Sequence, residues 1–171
     1  MIQLRTFNLQ KINEIEHYVL IKSLSRDPGV MKYIAKDFSA WVKKQQSVDD
    51  KKIEIGKSYV IEKDGKYVGI IGSLNFSSDG ILELWCAIQN NLRGNGYGEK
   101  VLAEITPYLI EHVEGLNDIN LKIDVKNKGS QIVAERNGYI RSGTLEDFDD
   151  VENWYYFGHD YKKNDGNGKK K

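Results

Sequence analysis

Three glycines at every second position, Gly94, Gly96 and Gly98, separate an apolar strand-like run, Ile81 to Ile88, from a helix-like run that begins at Tyr97. No packing requirement calls for them. Each admits positive φ or a close approach of backbone to ligand, and each loses extra conformational entropy on folding. Successive N–H groups in such a turn, continued by a helix N-terminus, form a concavity for phosphate oxygens. Spacing alone is equally compatible with a glycine-rich connection that holds nothing. The rest of the chain decides between the two.

Two nucleotide motifs fail on the same residues. A phosphate loop of the Gly-x-x-x-x-Gly-Lys-Ser/Thr kind, started at Gly94, needs a glycine where Glu99 stands. The dinucleotide fingerprint Gly-x-Gly-x-x-Gly again meets Glu99 in place of its third glycine. Composition removes other classes. With 25 basic and 25 acidic side chains the formal charge is zero, whereas a dedicated nucleic-acid binder carries a basic excess. No apolar run reaches the roughly 20 residues that span a bilayer, and the first residues lack a signal-peptide layout. Cys86 is the single cysteine, and His17, His112 and His159 are scattered without metal-ligand spacing. The expectation is a cytoplasmic protein without a metal.

Along the chain, Ile2 to Phe7 alternates like one strand, and Asn8 reads as the cap of a helix with Ile12, Ile15, Val19 and Leu20 on one face. Asp27-Pro28 starts a second helix, continued by Met31, Ile34, Phe38, Trp41 and Val42 with a break near Lys36. Residues 43–52 read as a solvated loop. A meander follows: Ser58 to Glu62, an Asp64-Gly65 turn, Tyr67 to Phe76, a turn at 77–80, and Ile81 to Ile88. The helix after the glycines has one apolar face, interrupted by Pro107, which should kink it or end its regular part. Asn120 to Val125 is a strand, Ser130 to Asn137 a helix closed by Gly138, and Tyr139 to Leu145 and Asn153 to Tyr161 the last strands. The order β-α-α-β-β-β-α-β-α-β-β predicts an α/β fold with a mixed sheet. The expectation is one domain over residues 1–161 and a polar, disordered tail over 162–171.

Read as Arg/Gln-x-x-Gly-x-Gly/Ala at the start of a helix, Arg93-Gly94-Asn95-Gly96-Tyr97-Gly98 resembles the acyl-CoA loop of the GNAT acetyltransferase superfamily. The order of elements agrees over essentially the whole ordered chain. The stretch Asn127 to Gly143 resembles the Asn-x-x-Ser…Ala-x-x-x-Gly-Phe/Tyr-x-x-x-Gly pattern of the Rim-type branch, which acts on ribosomal-protein N-termini and small amines. The resemblance implies acetyl-CoA as donor, with its diphosphate on the amides of Arg93 to Gly98 and the Arg93 side chain paired to phosphate. It implies a strand splayed from its neighbour, with backbone near Ala87 and Ile88 taking the pantetheine arm. Ala134 stands where many relatives carry a tyrosine acid, so Ser130 becomes the candidate, beside Asn127 at the same helix start. Both also read as helix caps.

Acetyl transfer to an amine needs a neutral amine, a polarised thioester carbonyl and a proton for the departing thiolate. An α-amine titrates near ~7.7–8.0 and a lysine amine near ~10.4, so the latter demands about 2.5 more units, roughly 3.4 kcal/mol. Glu83, on the opposite strand face from Leu82 and Leu84, and Asp149, in an acidic loop, are the candidate bases. Cys86 reads as a core residue in a direct-transfer enzyme. The acceptor is a primary amine on a peptide N-terminus or a small molecule, and the resemblance is compatible with a homodimer. An acyl-CoA-binding regulatory module without turnover is the alternative.

Overall fold

The computed structural model describes residues 1–142 and 150–158. Eight strands form one mixed sheet: β1 (Ile2–Gln3), β2 (Asn8–Lys11), β3 (Ser58–Lys63), β4 (Lys66–Phe76), β5 (Ile81–Ile88), β6 (Asp118–Asp124), β7 (Ile140–Arg141) and β8 (Val151–Phe157). Their spatial order is β1-β2-β3-β4-β5-β6-β8-β7. Every neighbouring pair is antiparallel except β5 and β6. Helices α1 (Tyr18–Ser25), α2 (Pro28–Tyr33) and α3 (Phe38–Lys44) precede the meander; α4 (Tyr97–His112) and α5 (Lys128–Arg136) follow β5 and β6.

Strand alternation divides the sheet into two apolar faces. On one, Tyr59, Ile61, Ile71, Leu82, Leu84, Ile119 and Ile123 pack under Val101, Leu102, Ile105 and Leu109 of α4 and Ala134 of α5. On the other, Val60, Ile70, Trp85 and Ala87 pack under Leu20, Leu24, Val30, Phe38 and Val42 of α1–α3. Glycine brings β4 and β5 close. A Cβ on Gly69 would stand 2.1 Å from the Ala87 carbonyl oxygen, and one on Gly72 would stand 2.7 Å from the Trp85 indole.

Local turn chemistry behaves as its sequence demands. Asp64 and Gly65 both take positive φ in the β3–β4 turn. Asp27 caps α2 by accepting from the N–H groups of Gly29 and Val30. Helices α2 and α3 break between Tyr33 and Phe38, as expected near Lys36. Gly138 (φ 82°) closes α5, with Gly138 N–H on the Glu135 carbonyl and Tyr139 N–H on that of Ala134.

The first 25 residues depart from expectation. Ile2 to Phe7 is not one strand, and Asn8 caps no helix. The chain reverses after Gln3, with Leu4 N–H on the Phe7 carbonyl, and Asn8 opens β2. Glu104, on α4, holds that reversal by accepting from the N–H groups of Thr6 and Phe7 and from the Thr6 hydroxyl. The next helix starts late because Asn13 forms a turn of its own. Its side chain accepts from Ile15 and Glu16 N–H, and its N–H donates to buried His17 Nδ1. Ile15 and Val19 are therefore not on the core face: they are 90% and 77% exposed, while Leu20, Ile21 and Leu24 are buried. Three helices stand where two were expected. Pro107 does not end α4, which runs on to His112. The N–H that proline lacks would have met the carbonyl of Ala103, on the exposed side of the helix. Strand β8 begins two residues earlier than expected and β7 is described only over Ile140–Arg141.

Gly69→Ala is expected to lower the unfolding free energy by about 1–3 kcal/mol, the range for overpacking a filled interior. Urea unfolding measures it, and a change within a few tenths of a kcal/mol would mean that β4 and β5 are free to separate.

Candidate active site

The site begins where the sheet divides. The parallel ladder of β5 and β6 runs only through Ile81↔Asp118, Leu82↔Ile119 and Glu83↔Asn120. Beyond it β5 continues to Ile88 against β4, and β6 continues to Asp124 against β8. The two strands form a fork. The Gln89 N–H donates to the Val68 carbonyl, so antiparallel alternation turns the Ala87 backbone toward β4 and those of Cys86 and Ile88 toward the open side. Of the two residues expected to offer backbone there, Ile88 faces the fork and Ala87 does not.

Helix α4 follows β5 and helix α5 follows β6, both against the same face, so both N-termini lie at the carboxyl ends of the parted parallel strands. Ligands of open α/β sheets bind in this position. Before α4 the chain makes a 3-10 turn over Asn90–Leu92, then passes Gly94 (φ 84°) and Gly96 (φ 77°). Nothing lies within 4 Å of a Cβ built on either. Gly96 is the N-cap and has no side chain to cap with, so the first-turn amides of Tyr97, Gly98 and Glu99 are left open. Gly98 is different: its φ is helical, and a Cβ there would meet only Ile88, at 3.8 Å. Asn95 donates to the Leu92 carbonyl, steadying the turn. Tyr97 packs edge-on against buried Phe7, with ring centroids 6.1 Å apart.

The Arg93 side chain is paired within the chain. Its Nη1 lies 2.9 Å from Asp27 Oδ2 and its Nε donates to the Ile88 carbonyl at 3.1 Å. Its own N–H is used by the Asn90 carbonyl.

At the start of α5, Asn127 accepts from the Ser130 N–H at 3.3 Å and acts as N-cap. The half-buried Ser130 is in the first turn. Asn137, at the other end, donates to the carbonyls of Val133 and Glu99, and Arg136 pairs with the Glu99 carboxylate at 3.1 Å. The two helices at the fork are therefore tied to each other.

Glu83 is the last residue of the paired section, on the face opposite α4 and α5. Its Oε1 accepts from Asn75 Nδ2 at 3.3 Å and lies 3.8 Å from Lys122 Nζ across the fork. Asn75 is carried there by a bulge, since Ser73 pairs with Leu84 and Phe76 with Leu82, leaving two β4 residues opposite Glu83. Asn120 and Asn153 are buried beside it on the same face and bond to each other at 3.3 Å. This polar row of Asn75, Asn120, Lys122 and Asn153 escaped the sequence reading, whose only available signal was an unusual run of polar residues at alternate strand positions. Asp149 lies outside the described residues, as do residues 143–148 before it. Burial pushes the Cys86 thiol up to about 12, so it is fully protonated near neutrality and not an activated nucleophile.

Residues 2–140 match the family described as acetyltransferase (GNAT) domain, and the chain belongs to that family. Solved structures agree in fold. An aminoglycoside acetyltransferase in complex with coenzyme A and kanamycin superposes with a TM-score of 0.70 at 16% identity, over 92% of this chain and 98% of that one. A spermidine N-acetyltransferase from Vibrio cholerae in complex with coenzyme A and spermine gives 0.69 at 15%, over 92% and 98%. RimL, a ribosomal alpha-N-protein acetyltransferase in complex with coenzyme A, gives 0.69 at 12%, over 91% and 98%. No curated protein matches in sequence. Among the described residues no helix is long and apolar enough to cross a membrane.

The last two of the three glycines separate by a stability test. Gly96→Ala forces a side chain into left-handed backbone and is expected to lose about 1–2 kcal/mol, whereas Gly98→Ala is expected to be neutral or slightly stabilising. Thermal unfolding of both variants checks the difference, and equal losses would contradict it.

Proposed function

We propose that the protein is an acetyl-CoA-dependent N-acetyltransferase that moves the acetyl group directly to a primary amine. The observation that carries this reading is the fork: a strand edge with outward-facing amide groups at Cys86 and Ile88, ending in an uncapped, glycine-entered helix. An acyl arm bearing amides pairs with such an edge as an added strand does, and a diphosphate suits the open amides from Gly94 to Gly98. The three complexes above each hold coenzyme A on this fold, which supports the same donor here.

The candidate groups divide between the two faces. Ser130, at the start of α5, is assigned the proton or hydrogen bond to the departing sulfur, whose free thiol would titrate near ~8.5 by analogy with cysteine. The Ile88 N–H, turned to the open side, is assigned the thioester carbonyl oxygen. Glu83, directly or through water, takes the proton that the attacking amine loses as the C–N bond forms and the C–S bond breaks. The protonated Cys86 argues for direct transfer rather than an acyl-cysteine intermediate.

The acceptor is a peptide α-amine or a small-molecule amine. The neighbours are named for spermidine, an aminoglycoside and a ribosomal protein, so one fold serves all three and does not select among them. The test is thiol release from acetyl-CoA with spermidine, kanamycin and peptides beginning in Ala or Ser. At least one class should turn over. Coenzyme A binding without turnover across the panel would favour a regulatory acyl-CoA-binding module instead. With the working acceptor, Ser130→Ala should lower kcat about 10²-fold or more, within the usual range for an acid–base group, and shift acetyl-CoA affinity less than threefold. An unchanged kcat would reduce Ser130 to a residue of the helix cap.

A further inference from the structure

The geometry of a phosphate loop does not explain where the Arg93 guanidinium is. It reaches back from the glycine turn and joins three parts of the chain. Nε donates to the Ile88 carbonyl at 3.1 Å, Nη1 meets Asp27 Oδ2 at 2.9 Å, and Nη1 also lies 3.4 Å from Asn90 Oδ1. Asp27 is the N-cap of α2, and its side chain is only 5% exposed. Its Oδ1 is taken by the N–H groups of Gly29 and Val30, so the guanidinium is the cation that balances a nearly buried carboxylate. Val30, in the same first turn, packs in the cluster that contains Trp85 and Ala87 of β5.

We propose that Arg93 is a positioning residue, clamping the end of β5 and the donor loop to Asp27 at the start of the acceptor-side helices, and that the donor diphosphate is held by the loop amides while this clamp stays closed. The reason is a difference in environment. Asp27 is buried, and stripping a buried carboxylate of its partner is strongly unfavourable. Arg93 is 40% exposed at its far side, where a pair with phosphate is screened by water and returns less. Pulling the guanidinium onto a phosphate would also release the Ile88 carbonyl, which faces the fork. The clamp therefore fixes both the strand edge that receives the acyl arm and the height of α2 over the opposite face. Through it, donor and acceptor sites share one ion pair.

This inference rests on the donor assigned above, and the experiment separates the two. Coenzyme A binding to the full chain is measured by titration calorimetry at a temperature where near-ultraviolet circular dichroism shows every variant folded. The variants are Asp27→Asn, Arg93→Gln, Arg93→Lys and the pair Asp27→Asn with Arg93→Gln. Asparagine still caps α2 and leaves the Arg93 charge in place, so a phosphate-pairing arginine would bind coenzyme A as well as before or better. The clamp predicts the opposite: Asp27→Asn and Arg93→Gln each weaken coenzyme A about tenfold, a usual size for coupling between sites, and the pair is no worse than either alone. Arg93→Lys, which keeps a charge near the loop but cannot span Asp27 and Ile88 together, should also weaken binding. Wild-type affinity in Asp27→Asn beside a loss in Arg93→Gln overturns the clamp and makes Arg93 a phosphate ligand, as does wild-type affinity in Arg93→Lys. A wild-type protein that failed to bind coenzyme A would overturn the donor assignment and the clamp with it.

Discussion

The parting of β5 from β6 after Glu83 and Asn120 is the constraint on which the rest of the site depends. Two parallel strands joined through a short ladder can diverge only if each is secured on its other side. The β4–β5 ladder does this for one, over six registered pairs, and the β6–β8 ladder for the other, over seven. Gly69 and Gly72 let β4 and β5 approach so closely that a methyl group at either would displace backbone or indole. The open edge that results has N–H and C=O groups without a strand partner, and such groups are costly to leave unpaired away from water. A sheet edge of this kind is either covered, charged or used. Here the Arg93 side chain covers the Ile88 carbonyl on the β5 side, and Gln131 of α5 donates to the Asp124 carbonyl on the β6 side.

The fork also explains why two unrelated-looking sequence motifs belong to one site. A right-handed crossover brings each helix back from the carboxyl end of its strand. Because β5 and β6 are adjacent, α4 and α5 each start from the carboxyl end of a parted strand, and the far end of α5 reaches the start of α4. The glycines serve the first helix and the Asn127–Ser130 turn serves the second. Asn137 and Arg136, reaching from α5 to Glu99, fix their spacing at the point where α4 begins. Glu83 belongs to the same fork from below. Strand alternation placed it opposite Leu82 and Leu84, and the register places it at the branch point.

What could be read beforehand was what local chemistry decides. Asp64-Gly65, Asp27-Pro28 and Gly138 act within one turn of themselves, so their sequence is enough to specify them. The glycine stretch was legible for the same reason: Gly94 and Gly96 take the positive φ that their residue type allows. The first 25 residues were not, because their structure is decided from a distance. Glu104 on α4 sets the β1–β2 reversal, and the ring of His17 takes an N–H that would otherwise belong to a helix start. Apolar spacing at Ile12, Ile15, Val19 and Leu20 is compatible with a helical face, yet the Asn13 turn interrupts it before the helix begins. Arg93 shows the same limit in a contact: its ion pair with Asp27 joins residues far apart in the sequence. Beside a phosphate loop an arginine reads as a phosphate ligand, and nothing nearby announces an aspartate from α2.

The arrangement favours direct transfer on grounds independent of family. The fork parts two strands of the sheet, and the groups proposed for the transfer flank it, Ser130 at the start of a helix on one face and Glu83 on the other. An amine that approached from the Glu83 side would meet a carboxylate, itself steadied by Asn75 and Lys122, before it reached the fork. A sulfur leaving on the α5 side would meet a hydroxyl. In the proposed reaction the hydroxyl and the carboxylate belong to opposite faces of the sheet, so neither neutralises the other. An acyl-cysteine route would instead need a thiolate at Cys86, and burial holds that thiol protonated well above the pH at which an amine is a nucleophile. The same sheet sets the half-buried Cys86 on the α4 face and Glu83 on the other, so the carboxylate at the branch point cannot serve that thiol as a base.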